Sequence, residues 1–416
     1  MKEKHGTLLK NTVMLAILQL STFALQFATV PYQTRILGPD VYGIVGAATA
    51  IMVYFQLFVD FGFLLSATEE VSTHREDRNH LRKILTGVTL NKLALALFSC
   101  GVLLVLCRVI PAWRGRTTLY FLFFLSTVLT SLMPDYLYRG LEQMTAITLR
   151  TVCIRAFFTA AVFLLLKKPS DIYIIPVLNI IGNGVAVVVA YWDLAKRFSI
   201  GFTRVTFSDI FSRLKSSATF FLSRFATTAY TAMNTVILDG ISAGGSVTGY
   251  YTSADKLLTT GRNLLSPISD SLYPYMAKNR DFKLVKKLLL FAMPPIILFC
   301  SAVFFTAEWL CALVFGQAFA PTGQILRLML PAAVFALPNY ILGFPTLGAM
   351  GLSRYANYSV IFGSVFHILC LGILWLTNTI SMLTLAALVS VTELMILLFR
   401  IVAIWKNKDK MRREQS

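Results

Sequence analysis

Charge is what this 416-residue chain has least of. Asp, Glu, Lys and Arg together make up 14% of it, where a soluble domain carries about 25%. With 56% hydrophobic residues and 32 Phe, that shortage excludes a water-soluble globule. Carboxylates are the scarcer sign, 20 Asp and Glu against 38 Lys and Arg, which leaves little to build an acidic cavity from. Histidine occurs only at His5, His74, His80 and His367. The six cysteines, Cys100, Cys107, Cys153, Cys300, Cys311 and Cys370, lie in or beside apolar runs, and no CxxC spacing occurs. This composition encodes no metal site and no disulfide framework. His367, the one His inside an apolar run, reads as a packing or helix–helix hydrogen-bonding group. A Gly-rich nucleotide motif is also missing, so any energy source is external to the chain.

What is present is a series of apolar runs long enough to span a bilayer. Twelve can be drawn, at roughly 12–34, 41–66, 84–107, 118–138, 148–166, 172–193, 216–239, 247–271, 286–306, 325–349, 356–377 and 380–404. Backbone groups in hydrocarbon must satisfy one another, so these are helices; strands of a barrel would alternate over about ten residues, and these runs do not. The expected fold class is therefore all-α integral membrane, with about 12 transmembrane helices. The basic N-terminus followed by an apolar stretch is like a signal peptide, but no small-x-small cleavage site follows, and the stretch is kept as the first helix.

The net charge of +18 would suggest nucleic acid on a soluble protein. Here it reports topology, because Lys and Arg collect in cytoplasmic loops. Loops on the side of the N-terminus hold 26 basic residues and those on the other side hold 6. Both termini are expected in the cytoplasm. The connection KRFSIGFTRVTFSDIFSRLKSS separates two six-helix halves, 1–205 and 206–416. VYGIVGA from Val41 and VTGYYTSA from Val247 form a faint echo at an offset of 206, near half the chain length. An even number of helices per half makes the repeat parallel, about an axis along the membrane normal.

Charges inside spans are costly, about 2.5–3.5 kcal/mol each at the centre on insertion scales. Asp60 in FQLFVDFGFLL lies about eight residues, or roughly 12 Å, from the cytoplasmic end of its span. Lys92, Arg155, Arg224 and Arg262 lie at a similar depth. Snorkelling to the interface or structural pairing accounts for some of these; a cationic tier facing water would bind an anionic group, best of all a phosphate. Asp60 and Lys92 form a natural pair on consecutive helices. Asp60 and Asp255 are candidates for coupling or gating, and Arg35 and Lys256 are additional candidates. Asp255 and Arg262, seven apart, share a face of a helix that Pro267 is expected to interrupt; Glu393 and Arg400, also seven apart, read as a structural pair.

The stretch from Ala28 to Ser72 resembles the N-terminal signature of the Wzx polysaccharide-biosynthesis flippases. Pro31, Tyr32, Arg35, Leu37, Gly38, Pro39, Tyr42 and Gly43 match its first element, Tyr54, Phe55, Leu57, Asp60, Gly62 and Phe63 its second, and Ser66, Ala67 and Thr68 its third. YYTSADKL and LLSPISDSLYPYM, between Tyr250 and Met276, resemble the corresponding second-half segment. The resemblance implies a MATE-like fold of two six-helix lobes around a central cavity. It implies flipping of undecaprenyl-diphosphate-linked sugar units across the bacterial inner membrane, with no chemical reaction catalysed. Lipid-linked oligosaccharide, membrane lipids and other polysaccharide assembly proteins are the implied partners. Na+ or H+ is the implied coupling ion, with no cofactor. A drug exporter of the same fold is disfavoured by the cations, and a multi-span polymerase or ligase by outer loops of about a dozen residues that cluster no His, Asp or Glu. The 26-to-6 split predicts that reporter fusions at Ser416 and within the 194–215 loop report a cytoplasmic location; an external Ser416 would overturn the topology.

Overall fold

The computed structural model describes residues 2–228, 232–242 and 245–407, and among these every regular element is helical. Contacts divide the chain into two units, Met1–Thr228 and Ala229–Ser416. The first holds α1 (Lys2–Asp60), α2 (Phe63–Thr73), α3 (Arg78–Val109), α4 (Pro111–Arg114), α5 (Thr117–Ser131), α6 (Asp135–Gly140), α7 (Met144–Leu165), α8 (Ile174–Arg197) and α9 (Phe207–Thr228). The second holds α10 (Met233–Ser242), α11 (Ser246–Asn279), α12 (Phe282–Phe315), α13 (Thr322–Ile341), α14 (Ser353–Leu376) and α15 (Met382–Lys406). Within the first unit α9 packs on α1, α2 and α3.

Nine segments among the described residues are long and apolar enough to cross a membrane, and the chain is a multi-pass membrane protein. The first of them, Ile17–Thr73, is 57 residues long and takes in most of the first expected span and all of the second. They part at Gly38. Pro39 bars its predecessor from the α conformation, and Gly38 takes φ 69° and ψ 172°. The expected spans 216–239 and 247–271 are absent from the nine. They fall on α9, α10 and α11, whose Ser, Thr, Asn and charged residues lower their apolarity, and residues 229–231 lie outside the described ones. At the other extreme is α12, where 6% of the most apolar window is buried. Leu298, Phe299 and Phe305 stand exposed along it. Contiguous apolar surface of this kind needs lipid as its solvent.

Three spans break inside the apolar zone. The second stops at Asp60; Phe61 (φ 40°) and Gly62 (φ 78°) turn left-handed, and α2 resumes at Phe63. The fourth stops at Ser131 and resumes at Asp135 after Pro134. In the second unit α13 passes into a π turn, Leu342–Gly348, containing Pro345. The interruption expected at Pro267 does not occur, and α11 runs unbroken from Ser246 to Asn279. Proline removes the N–H that would bond the carbonyl four residues back; here the Ser266 hydroxyl donates to that carbonyl, Asn263 O, at 3.1 Å.

The half-helices α2 and α6 pack together with α3 and α8 over a core of Phe63, Val71, Leu81, Leu85, Tyr136 and Leu194. Asp77 caps α3 by accepting the His80 N–H at 3.0 Å, which holds the Asp77 carboxyl below its ordinary pKa. Several contacts dock α9 on this core. Glu70 pairs with both His80 (2.9 Å) and Arg213, Asn91 Nδ2 donates to Ile210 O at 2.9 Å, and Phe61 stacks on Phe221 with centroids 4.6 Å apart. A second core gathers Met276, Val285, Leu337, Ile341, Leu347 and Ala356 around the π turn.

Gly62 carries two constraints at once. Its φ is positive, and a Cβ there would lie 2.8 Å from Phe220 Cβ and 2.9 Å from Phe221 N and Ser217 O. Left-handed backbone costs about 1–2 kcal/mol with a side chain, and overpacking about 1–3 kcal/mol. Gly62→Ala is expected to lower thermal stability in detergent by at least about 2 kcal/mol. Gly101→Ala, with nothing within 4 Å, should change it by no more than about 1 kcal/mol.

Candidate functional site

Lys92 of α3 is buried, and its ammonium lies 3.2 Å from Asp60 Oδ1 and 2.5 Å from Ser131 O. Both partners are the last residues of interrupted helices, α1 and α5. The C-terminal carbonyls of a helix lack intrahelical donors, and the helix dipole favours a cation there. One ammonium thus caps a carbonyl at the broken end of α5 and neutralises the carboxylate that closes α1. Tyr191 on α8 completes the cap, its hydroxyl donating to Leu132 O at 3.1 Å. The expected Asp60–Lys92 pair is present, and Asp60 sits at the break itself.

Arg262 on α11 pairs with Glu393 of α15, whose side chain is 3% exposed. Asn339 Nδ2 donates to Glu393 Oε2 at 2.8 Å, and Arg400 donates to Asn339 O and, at 2.9 Å, to Ser359 Oγ. Glu393 and Arg400, expected as a structural pair, are joined through Asn339, which donates to Glu393 and accepts from Arg400. Spacing along one helix put the two on a common face, but the packing of α11 and α13 against α15 brings in the partners. Arg400 does for the end of α13 what Lys92 does for α5. Asp255 and Lys256 are half-buried on α11. His367 bridges Thr392 (2.8 Å) and Asn234 (3.0 Å), the helix–helix role expected of it.

Arg155 has different surroundings. It lines a cavity of ≈ 500 Å³ between α1, α5, α7 and α8, and it donates to a neutral group, Thr22 Oγ1, at 2.5 Å. Arg150 and Asp135 pair at the same cavity. Lys92 does not line it. Arg224 on α9 and Arg35, just before the Gly38 turn, are exposed. Among the described residues no group of three His, Cys, Asp or Glu could hold a metal ion.

Sequence reasoning followed charge and so passed over the uncharged lining of this cavity. Thr22, Gln26, Thr29 and Gln33 recur at i, i+4, i+7 and i+11, one face of α1. Thr151, Arg155 and Thr159 do so on α7, and Asn179 and Asn183 on α8. Those spacings were legible as polar stripes within apolar runs.

A family model described as polysaccharide biosynthesis protein matches residues 8–280. Two curated relatives carry the name "Putative O-antigen transporter". The one from Escherichia coli (strain K12) is 27% identical over 284 residues, 68% of each chain. The one from Shigella dysenteriae is 26% identical over 368 residues, 86% of this chain and 91% of its own. Among solved structures, an inward-facing multidrug resistance MATE family transporter of the MOP superfamily aligns with a TM-score of 0.70 at 14% identity, covering 97% of this chain and 99% of its own. The lipid II flippase MurJ, in an inward closed conformation, aligns with a TM-score of 0.65 at 14% identity, covering 95% and 87%. The all-α, MATE-like fold follows from these two likenesses.

The geometry makes Asp60 and Lys92 a test pair. Removing one charge of a buried pair costs about 3–5 kcal/mol, because the other is left uncompensated. Asp60→Asn and Lys92→Gln should each lower membrane abundance and melting temperature, and the double variant should recover much of both losses. Additive losses in the double variant would show that the two charges do not act as a pair.

Proposed function

The chain belongs to the polysaccharide biosynthesis protein family, and on that premise we propose that it moves undecaprenyl-diphosphate-linked oligosaccharide repeat units from the cytoplasmic to the outer leaflet of a bacterial inner membrane. No bond of the cargo is made or broken in this reading. Support comes from relatives named as O-antigen transporters, one of them matched over 86% of this chain. The observation that carries the reading at residue level is Arg155, a guanidinium lining a polar cavity with a neutral hydroxyl as its bonded partner. The other ion pair at that cavity, Arg150–Asp135, is self-neutralising. The excess charge is one cation, suited to a phosphate oxygen.

The remaining cations divide by what holds them. Lys92 and Arg262 are engaged by Asp60 and Glu393, so we assign them to holding and gating. Arg155 and the exposed Arg224 are assigned to the diphosphate, with Arg35 and Lys256 as secondary candidates. An ion gradient, of Na+ or H+, supplies the energy in this proposal. Asp60, at a helix break, and Asp255, on the polar helix α11, are the carboxylates assigned to coupling or gating. The excess of basic residues on one side supports cytoplasmic termini.

The test is complementation in a strain lacking the chain, with surface polysaccharide, lipid-linked units in each leaflet and membrane abundance measured together. Arg155→Gln is expected to reduce export about 10–100-fold, the equivalent of one charge-assisted hydrogen bond, with Arg155→Lys intermediate because it loses the bidentate fork. The Asp60→Asn, Lys92→Gln double variant should stay export-deficient even where its abundance recovers. Full export by Arg155→Gln would remove that residue from the cargo path. Full export by the double variant would reduce Asp60 to a structural partner.

A further inference from the structure

The cavity between α1, α5, α7 and α8 has a lining that a diphosphate alone does not account for. Three amides on it, Gln26, Gln33 and Asn179, have no hydrogen-bond partner in the protein among the described residues. A fourth, Asn183, donates to Thr130 Oγ1 at 2.8 Å and to Ser126. Each amide offers two donors and an acceptor with two lone pairs. A polar side chain without a partner inside a membrane bundle is unfavourable, and three lining one cavity, two on α1 and one on α8, mark a surface shaped for something that bonds them.

The chemistry of the wall narrows what that is. An anion needs donors only, and the amide carbonyls would face it with lone pairs. A cation needs carboxylates, and the one carboxylate among the lining residues, Asp135, is held by Arg150. An apolar ligand would strand every amide. A neutral polyhydroxylated ligand needs both donors and acceptors, which is what amides spaced about two helical turns apart on α1 and facing α8 supply to hydroxyls spread along an extended ligand. Phe158, packed against Gly182, adds an apolar wall for a ring face. The volume of ≈ 500 Å³ lies within the range of small-ligand sites, about 300–1,000 Å³.

We propose that this cavity within the first unit is a saccharide site: the amide wall of Gln26, Gln33 and Asn179 binds the sugar portion of the cargo, with Arg155 beside it for the diphosphate. The proposal rests on the flippase reading above and adds to it the place and chemistry of glycan recognition.

The experiment uses the full chain in lipid nanodiscs and two probes, polyprenyl diphosphate without sugar and polyprenyl diphosphate bearing the repeat unit extracted from the host strain. Wild type is expected to bind the glycosylated probe at least about tenfold more tightly, the equivalent of two or three neutral hydrogen bonds. Gln26→Leu/Gln33→Leu/Asn179→Leu should abolish that preference and leave affinity for the bare probe within twofold. Equal affinity of wild type for both probes overturns the saccharide site while the flippase reading stands. A preference that survives the triple variant overturns it likewise. Failure of wild type to bind either probe overturns both readings. Melting curves are taken in parallel. If the triple variant is unfolded, Gln33→Leu alone is read instead, with an expected loss of about threefold for the glycosylated probe only; no such loss overturns the site.

Discussion

A helix interrupted within hydrocarbon exposes carbonyls that no water is present to satisfy, and among the described residues this chain interrupts three of its spans. Each of two broken ends is met by a charge from another helix: Lys92 at Ser131 O, Arg400 at Asn339 O. The third break, at Phe61–Gly62, leaves Asp60 beside the same Lys92. The requirement that backbone polar groups be paired inside the membrane therefore decides where the ionisable residues go. It also explains their arrangement as chains rather than isolated pairs. A cation brought in to cap a carbonyl needs its own charge compensated, and Asp60 does that for Lys92. The carboxylate of Glu393, brought in by Arg262, in turn accepts from Asn339.

The two units show one device in different residues. In each, the fourth span breaks and a group on the sixth span donates to a carbonyl at the break: Tyr191 to Leu132 O, Arg400 to Asn339 O. The two carbonyls stand near the offset of 206 that the faint echo at Val41 and Val247 suggested. The second spans differ. The first-half copy breaks through left-handed Phe61 and Gly62, whereas the second-half copy runs helically through Pro267 with Ser266 bridging the gap. A repeat that keeps the break of the fourth span but changes its residues, and alters the second span outright, is one that sequence comparison detects only weakly.

Much of the fold was legible in the sequence because the membrane makes composition decisive. Long apolar runs mean helices, and a carboxylate and an ammonium at one depth on consecutive helices, Asp60 and Lys92, mean a pair. Periodicity along a single helix was less reliable. It put Glu393 and Arg400 on one face but could not supply Arg262 and Asn339, which reach Glu393 because α11 and α13 pack against α15. Pro267 was read as a break because proline removes a donor; a hydroxyl one residue earlier replaced it. The amides of Gln26, Gln33 and Asn179 escaped notice because attention to charge passes over neutral groups. A stripe of Thr and Gln at helical spacing in an apolar run is nevertheless as informative as an ion.

These observations separate two uses of polarity in the same chain. Lys92, Arg262, Glu393 and Arg400 are engaged with partners that fix where helices end and which helices meet. A buried ion pair gains little net stability over apolar packing, since desolvation offsets the Coulomb attraction, but losing one member is costly. Such groups therefore specify an arrangement more than they strengthen it. The wall of the first unit's cavity is the opposite case. Among the described residues Arg155 is bonded to a neutral hydroxyl, and three amides keep their donors and acceptors unengaged. Hydrogen-bonding capacity left uncommitted in a membrane bundle is unfavourable to the fold. Its concentration along the cavity-lining positions of α1, α7 and α8 would favour a polar ligand there, where the fold itself gains least from polar side chains.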